Sequence, residues 1–599
     1  MNSRPSSSHD PNTASSRAYR RTTPLVSRLM GMETEYATLV ADPQNLSTED
    51  LPASLFVYEQ ICEAIRRDQP TAKGVFDQDQ LFLANGGAVT FESHPLMYDS
   101  PGGLIEIATP EVRSPDELLA CQRSIDQLVA EATAAAETSY DLRVLKNSAD
   151  ALGHVYGCQE NYEAEVASGV WLVIYRVFVL LLWSMQVVNL VVSMPLLWAM
   201  VFAGWIARRR RGSASDGDNQ SVVDDEGFDS DDGDWGDADQ GQDVRMAFGS
   251  VPRWVTWTVV NLLRLIHLPT LFVLRFVVRH VAFRKQRRYL SALLASRLAL
   301  CGSGSLDHDG RYRLSAKAMA IDTITDMGGF RGERPVFVFG HWLAHYCAKT
   351  FLSLVSTRGM LARRQRLQIG LSDSNMADHA EYVKFASVSL VLDMIEAGAV
   401  AELPILKKGV ASIHRIASDW NLVSQVPTSH GELSALEIQR KILAAAKQFV
   451  DGTSDQWHGE ATTVIQRWES LITVLAEFRQ DHRQTAAAVG RVDWLTKRFL
   501  IDALGENAAW TDKKKVDLRY HELSADGYFY QLLPAKPEVM LVNPDNVRRR
   551  RRSPPAGTPA ARRGWMIREF AGGEEWIQTD WTYAMIGRGG KRKRVNFDL

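Results

Sequence analysis

Apolar and polar residues alternate along Gly31-Met32-Glu33-Thr34-Glu35-Tyr36-Ala37, a period-two pattern that predicts a half-buried β-strand. Side chains at i and i+2 share one face of a strand, so Glu33 and Glu35 point the same way. The alternation recurs at Leu104-Ile105-Glu106-Ile107-Ala108-Thr109, with Glu111 close behind. Glu106 there must reach solvent at a strand end or turn into a cleft with a partner, because burying a lone carboxylate is costly. Leu83 to Gly87 reads as a strand end and a glycine turn, and Glu92 and His94 follow it. Leu55 to Arg67 reads as a helix. Arg366 to Met376 reads as a strand running into a polar loop that caps a helix beginning near Ala377. Val388, Leu392, Ile395 and Val400 then recur at helical spacing inside a helical middle, about 377–475.

A second pattern fills 166–288. Gly169 to Ile206 is apolar apart from Arg176, Gln186 and Asn189, and a spanning helix needs only about 20 residues. The run reads as one long tilted helix or, preferably, as a hairpin turning near Asn189 to Pro195. Arg208 to Arg211 follow, then an acidic tract, 213–243, expected as a disordered linker. Val251 to Phe283 is apolar again but carries Arg253, Arg264, His267, Arg275 and Arg279 and ends in Arg284-Lys285-Gln286-Arg287-Arg288. That suits a basic amphipathic helix on an anionic membrane surface (252–283) at least as well as a second span, and two single spans with an external acidic loop are the runner-up topology.

Composition adds bounds. With 599 residues there is room for two or three domains, and a net charge of −3 gives no general nucleic-acid signal. The five cysteines (Cys62, Cys121, Cys158, Cys301, Cys347) show neither a paired ladder nor metal spacing, which suits a reducing cytoplasm. Residues 1–24 are Ser- and Arg-rich without an apolar core and read as a disordered tail. An Arg/Pro-rich linker at 541–561 leads to 562–599, where Trp565, Phe570, Trp576 and Trp581 supply apolar surface for a small folding unit.

The chemistry implied by the paired glutamates is hard-cation binding: clustered oxygen ligands suit Mg²⁺, which arrives with nucleotide phosphates. The blocks GMETEYA (31–37), NGG (85–87), EIATPE (106–111), KNSAD with YGCQENY (146–162) and LCGSG (300–304) carry a wider resemblance. They continue as RLQIGLSDSNM (366–376), VSLVLDMIEAG (388–398), ALEIQR (435–440), DWLTKR (493–498) and VDLRYHEL (516–523). In this order they resemble the Pup ligases and Pup deamidases, relatives of glutamine synthetase.

The resemblance implies an α+β fold. A glutamine synthetase-like antiparallel sheet cradle would stand with helices behind it, beside a small C-terminal domain and an inserted apolar helical membrane segment. The catalytic domain would comprise 25–165 and 289–540, split by the insertion at 166–288. The implied activity is ATP- and Mg²⁺-dependent: a glutamate side-chain carboxylate of a small Pup-like protein is phosphorylated, and a target lysine attacks the acyl phosphate. Metal ligands would be Glu33, Glu35, Glu106, Glu111 and His341. Nucleotide contacts would come from Lys146, Asn147, Tyr156, Glu160, Asn161, Arg366, Ser374 and Asn375. Glu92 and Arg366 would act in catalysis, Glu92 standing seven residues after Asn85 where the family has an aspartate.

Several positions depart from the family pattern. Gln159 and Gln368 stand where it has histidines. Its Thr-Arg-Asp-Glu-Pro-His stretch is replaced by Arg334 to Trp342, leaving His341 as the nearby metal-binding candidate. An insertion of roughly ten residues separates His94 from Glu106. The short passage from Thr38 to Leu83 favours a ligase over a deamidase or depupylase, and a catalytically inactive, membrane-tethered binding module is the third reading. Expected partners are the Pup-like modifier, lysine-bearing targets and membrane lipids, with no nucleic acid. Both halves of the catalytic fold must lie on one side of the membrane, so the number of crossings is even, and flanking basic clusters place the enzyme on the cytoplasmic face.

Overall fold

The structure, a computed structural model, describes residues 23–40, 51–77, 79–92, 103–212, 253–327, 332–347, 349–352, 358–588 and 591–597. Most of the N-terminal tail, His94 and the acidic tract lie outside the described residues.

The first half of the chain builds β1 (Met30–Val40), β2 (Thr71–Gly74), β3 (Leu81–Leu83), β4 (Ala88–Phe91), β5 (Gly103–Ala108), β6 (Leu142–Leu145) and β7 (Cys158–Glu165). Two small separate hairpins, β8 (Ser305–Leu306) with β9 (Tyr312–Arg313) and β13 (Gln425–Thr428) with β14 (Gly431–Ser434), lie apart from the main sheet. The latter also receives β10 (Thr323–Asp326), β11 (Pro335–Val338), β12 (Arg364–Ile369), β15 (Trp576–Thr579), β16 (Tyr583–Arg588) and β17 (Lys591–Asn596). Its thirteen strands run β10-β11-β12-β7-β1-β5-β4-β3-β2-β15-β16-β17, with β6 on β1. The sheet is mixed: β10–β11 and β2–β15 pair in parallel and the others antiparallel. The antiparallel expectation therefore holds for the cradle but not for its two outer joins.

Helices cover one face. They are α1 (Ser54–Asp68), α2 (Pro115–Ala134) and α7 (Asp378–Ala397), counting between them α3 (Val170–Gly212), α4 (Arg253–His280), α5 (Arg284–Ser296) and α6 (Gly340–Cys347). Tyr36, Ile105 and Ile107 of the sheet bury against Ile125, Leu128 and Val129 of α2. Met32, Tyr162, Leu367 and Ile369 bury in the same cluster as Tyr382, Val383 and Leu390 of α7. Each such side chain contributes about 1.5–3 kcal/mol on leaving water. Ser114 caps α2 by accepting from the Glu117 amide (3.3 Å), with Pro115 in the first turn. The loop before α7 does not cap it. Asp493 does so from afar, accepting from the amides of Met376 and Ala377 (both 3.0 Å), because the backbone there faces the DWLTKR helix.

The segment expected as a linker, 541–561, contains α8 (Pro544–Arg552) and the start of α9 (Pro559–Phe570). Its arginines find counter-charges on α1 and α2: Arg550 pairs with Glu117, Arg551 with Glu131 and Asp68, and Arg552 with Asp68. The last strands extend the main sheet through β15 on β2. Gly86, at φ +87°, closes the turn between β3 and β4, and a Cβ there would lie 2.7 Å from the Ala560 carbonyl oxygen at the start of α9.

The preferred hairpin within 169–206 does not form. Val170–Gly212 is one continuous helix with Pro195 inside it, and its partner is α4. Asn189 is not at a turn: it is buried and donates sideways to Thr270 Oγ1 of α4 (2.9 Å). Arg275 and Arg279 of α4 turn to Asp326 at its foot (2.9 and 3.7 Å).

Candidate active site

The face of the sheet opposite α2 and α7 is polar, and strand alternation assembles it. β1 contributes Glu33 and Glu35, β5 Glu106, β7 Gln159 and Asn161, and β12 Arg366 and Gln368. Register brings them together: Glu35 lies opposite Glu106, Glu106 opposite Thr90, Glu33 opposite Gln159, and Asn161 opposite Gln368.

Glu33 is held from two sides. Arg366 bonds it at 2.5 Å while also donating to Asn161 Oδ1 at 2.7 Å, and Gln368 Nε2 donates to it at 3.1 Å. Gln368 Nε2 also donates to Gln159 Oε1, so the two glutamines that stand in place of histidines are partners. Glu35 accepts from the Gly157 amide at 2.8 Å.

The remaining carboxylates lack such compensation. Burial, then repulsion from Glu33, Glu92 and Glu35, raises Glu106 well above the usual carboxylate range. Glu92, immediately after β4, is pushed up to about 7 by desolvation of its carboxyl, then by Glu35 and Glu33. Desolvation raises Glu35 too, opposed by Lys317, by its bond from Gly157 and by Arg334. Lys317 and Arg334 come from segments with no recognisable motif, and the sequence reading missed them. His341, in the first turn of α6, is pushed down to about 3 by burial and by the Arg366 guanidinium, and stays neutral.

Glu111 lines one groove with Glu33 but is already engaged by a cation. It pairs at 2.5 Å with Arg563 of α9, which is wholly buried, donates to the Gly86 carbonyl and stacks on Trp581 with 4.6 Å to the ring centroid. A groove of about 360 Å³ beside the carboxylates is lined by Gly31, Glu33, Thr109, Asn161, Arg366 and Trp581. From the sequence alone, Trp581 is only apolar surface for folding.

The nucleotide candidates divide between the two faces. Asn161 and Arg366 are on the open one. Lys146 is buried beneath the sheet, bonded to Asp126 (2.9 Å) and to Glu381 Oε2 (3.2 Å). Glu160 is buried against Arg297 (2.6 Å). Asn375 donates to Asp493 (2.8 Å), the Ser374 amide donates to Ser148 Oγ (3.1 Å), and Tyr156 donates to Asn147 (2.9 Å). These bonds hold loops together.

A hard divalent cation fits the open face by charge, since burial first, and then repulsion within the group Glu33, Glu35, Glu92 and Glu106, raises Glu35, Glu92 and Glu106. Closure is a separate matter. Among the described residues no three His, Cys, Asp or Glu side chains gather around one point, because Glu33 is taken by Arg366 and Glu111 by Arg563.

Residues 28–585 match the family described as "Pup-ligase protein". A Pup–protein ligase of Acidimicrobium ferrooxidans is 29% identical over 230 residues, 37% of this chain and 49% of the relative. A Pup deamidase/depupylase of Mycolicibacterium smegmatis is 27% identical over 278 residues, 44% of this chain and 54% of the relative. These alignments span about half the length of the curated relatives. The crystal structure of Pup in complex with its ligase PafA superposes with a TM-score of 0.60 at 16% identity, covering 96% of this chain and 89% of that one. PafA in complex with ADP gives 0.54, also at 16%, over 86% of this chain and 85% of that one.

Proposed function

Because this chain belongs to the Pup ligase family, we propose that it is an ATP- and Mg²⁺-dependent ligase joining a glutamate side-chain carboxylate of a Pup-like protein to target lysines. The observation that carries this reading is the open sheet face, where Arg366 and Glu33 line a groove beside the mutually repelling Glu35, Glu92 and Glu106. Phosphoryl transfer needs its spreading negative charge neutralised more than it needs covalent help. Arg366 would leave Glu33 for the transferring phosphoryl group, and Asn161 and Trp581 border the space for the nucleotide. Mg²⁺ would be held by Glu33, Glu35 and Glu106, where it would neutralise phosphate charge.

The γ-phosphoryl group passes to the modifier's carboxylate, giving ADP and an acyl phosphate. The lysine amine then attacks the acyl carbon and expels inorganic phosphate, and Glu92 takes the ammonium proton. A carboxylate raised to about 7 suits a base that is ionised at cytoplasmic pH yet still binds a proton. Gln159 and Gln368 make this a divergent site, with an amide pair at Glu33 where the family pattern has histidines.

The test is ATP hydrolysis by purified protein given a Glu-terminated or, separately, a Gln-terminated Pup-like protein, followed by intact-mass spectrometry. ADP with a lysine-linked product from the Glu form supports the ligase. Conversion of Gln to Glu without stoichiometric ADP would make it a deamidase, and nucleotide binding without turnover a binding module.

A further inference from the structure

The insertion begins and ends at one point: the Phe283 amide donates to the Val166 carbonyl (2.7 Å), so α3 leaves the catalytic body where α4 returns. The feet are part of the core, with Tyr175, Val179 and Leu182 of α3 and Leu274 and Val277 of α4 buried in the cluster that holds Phe339 and Trp342. Above the feet, the covered positions of α3 form one stripe through Asn189, Ser193, Met200 and Gly204, and those of α4 include Val259 and Thr270. The hydrogen bond from Asn189 to Thr270 sets their register.

The rest of outer α3 is apolar and largely bare, and outer α4 is so apart from polar positions that include Thr258, Asn261, Arg264 and His267. Val191, Trp198, Phe202, Trp257, Leu265 and Phe272 are 61–73% exposed. At about 100° per residue, such positions cover roughly half or more of each circumference, whereas a protein-docking face is one-sided.

Heights along the pair match a bilayer. Sixteen residues outward from Asn189 and from Thr270 lie Trp205 and Trp254, both exposed and both about 24 Å above the hydrogen bond. Five residues inward from Thr270 lies Arg275, about 8 Å below, bonded to Asp326 (2.9 Å). The tryptophan level and the arginine level are thus about 32 Å apart, against about 30 Å for a hydrocarbon core. Amphipathic indoles are enriched at bilayer interfaces, and arginines stand next to both levels: Arg253 and Arg208 to Arg211 beside the tryptophans, Arg275 and Arg279 at the foot. Arg264 lies between, about 9 Å outward of the hydrogen bond and so near the middle of the span, a charge that a spanning helix carries at a cost.

We propose that α3 and α4 are a two-helix hairpin spanning a lipid bilayer, with the catalytic body against one surface at the level of Arg275 and the Trp205/Trp254 ends at the other. Two crossings keep both halves of the sheet on one side. The polar face of the sheet would then work on lysines of proteins at or near that membrane. Helix α6 joins the two regions physically: it carries His341 beside Arg366 at its start and Tyr346, which receives a bond from Asn189 (3.4 Å), near its end.

The test uses the full chain and no catalytic readout. In cells, the protein should resist carbonate extraction from membranes. A Val191→Glu/Leu265→Glu variant, which leaves the buried feet untouched, should move to the soluble fraction with the same catalytic-domain protease resistance. Gly212→Cys, at the end of α3 and in a Cys347→Ser background, should react with a membrane-impermeant maleimide only from the side opposite the catalytic body. Wild-type protein in the soluble fraction, as monomer or as a dimer paired through these helices, would overturn the proposal. Labelling of Gly212→Cys from the catalytic side would overturn it equally, since the helices would then lie on the surface without crossing.

Discussion

Glu35 and Glu106 stand directly opposite each other in the β1–β5 register, two carboxylates at a position where like charges destabilise a sheet. Both are raised from the ordinary carboxylate range, so the folded protein holds protons that the unfolded chain has released. Stability therefore falls as pH rises from the usual carboxylate range through about 7, where Glu92 also loses its proton. Thermal unfolding between pH 5.5 and 8 should show this decline. Mg²⁺ should reverse it at pH 8, and Glu106→Gln should raise the melting temperature at pH 8, blunt the Mg²⁺ effect and abolish turnover. A Mg²⁺ effect unchanged in Glu106→Gln would remove this face as the cation site.

Glu92 sets the expected pH–rate profile. With a base titrating near 7, kcat/KM should climb about tenfold per pH unit below 7 and level off above it. Glu92→Gln should cost about 10²–10⁴-fold in the rate of isopeptide formation and flatten the rise. Acyl-phosphate formation, trapped with hydroxylamine, should survive that substitution, because it precedes the proton transfer.

Arg366 now neutralises Glu33, and the proposed function needs it at the phosphate. Arg366→Ala should lower kcat by about 10³-fold, the scale of removing a guanidinium from a phosphoryl-transfer transition state. Arg366→Lys should recover little of it, because a single ammonium cannot bond the phosphate and Asn161 in the same fork. Single-turnover phosphoryl transfer measures this directly.

Glu160 and Arg297 test the division between the two sheet faces. Arg297→Met would strand the Glu160 carboxylate in the core, at a cost of about 3–5 kcal/mol in denaturant unfolding. The protein that remains folded should bind ATP as the wild type does. A large loss of ATP affinity without a loss of stability would return Glu160 to the nucleotide site.

Strand and helix positions were legible because they rest on short-range periodicity. The Glu33/Glu35 strand, the glycine turn at 85–87 and the helix at 54–68 all fall where alternation or helical spacing placed them. The cap of α7 was not legible, since Asp493 is more than a hundred residues away in the chain. Nor was the docking of 544–552, whose arginines look like a solvated run until α1 and α2 supply their carboxylates. For the insertion, hydropathy showed its apolar length but not its path. The choice between an internal hairpin and a helix pair rested on whether Asn189 met solvent at a turn or Thr270 on another helix.

By itself the sequence determined which residues carry chemistry: the family blocks, the glutamates with Arg366, the glutamines in place of histidines and the two apolar runs. Local patterns encode these because a strand's faces and a helix's apolar length depend on neighbours a few residues apart. Only the tertiary structure decided which groups share a face, moving Lys146 and Glu160 under the sheet, giving Asn375 to Asp493 and Glu111 to Arg563, and bringing Lys317 and Arg334 toward Glu35. Those outcomes depend on register and on which distant charge satisfies each buried one, and neither is written in any short stretch of chain.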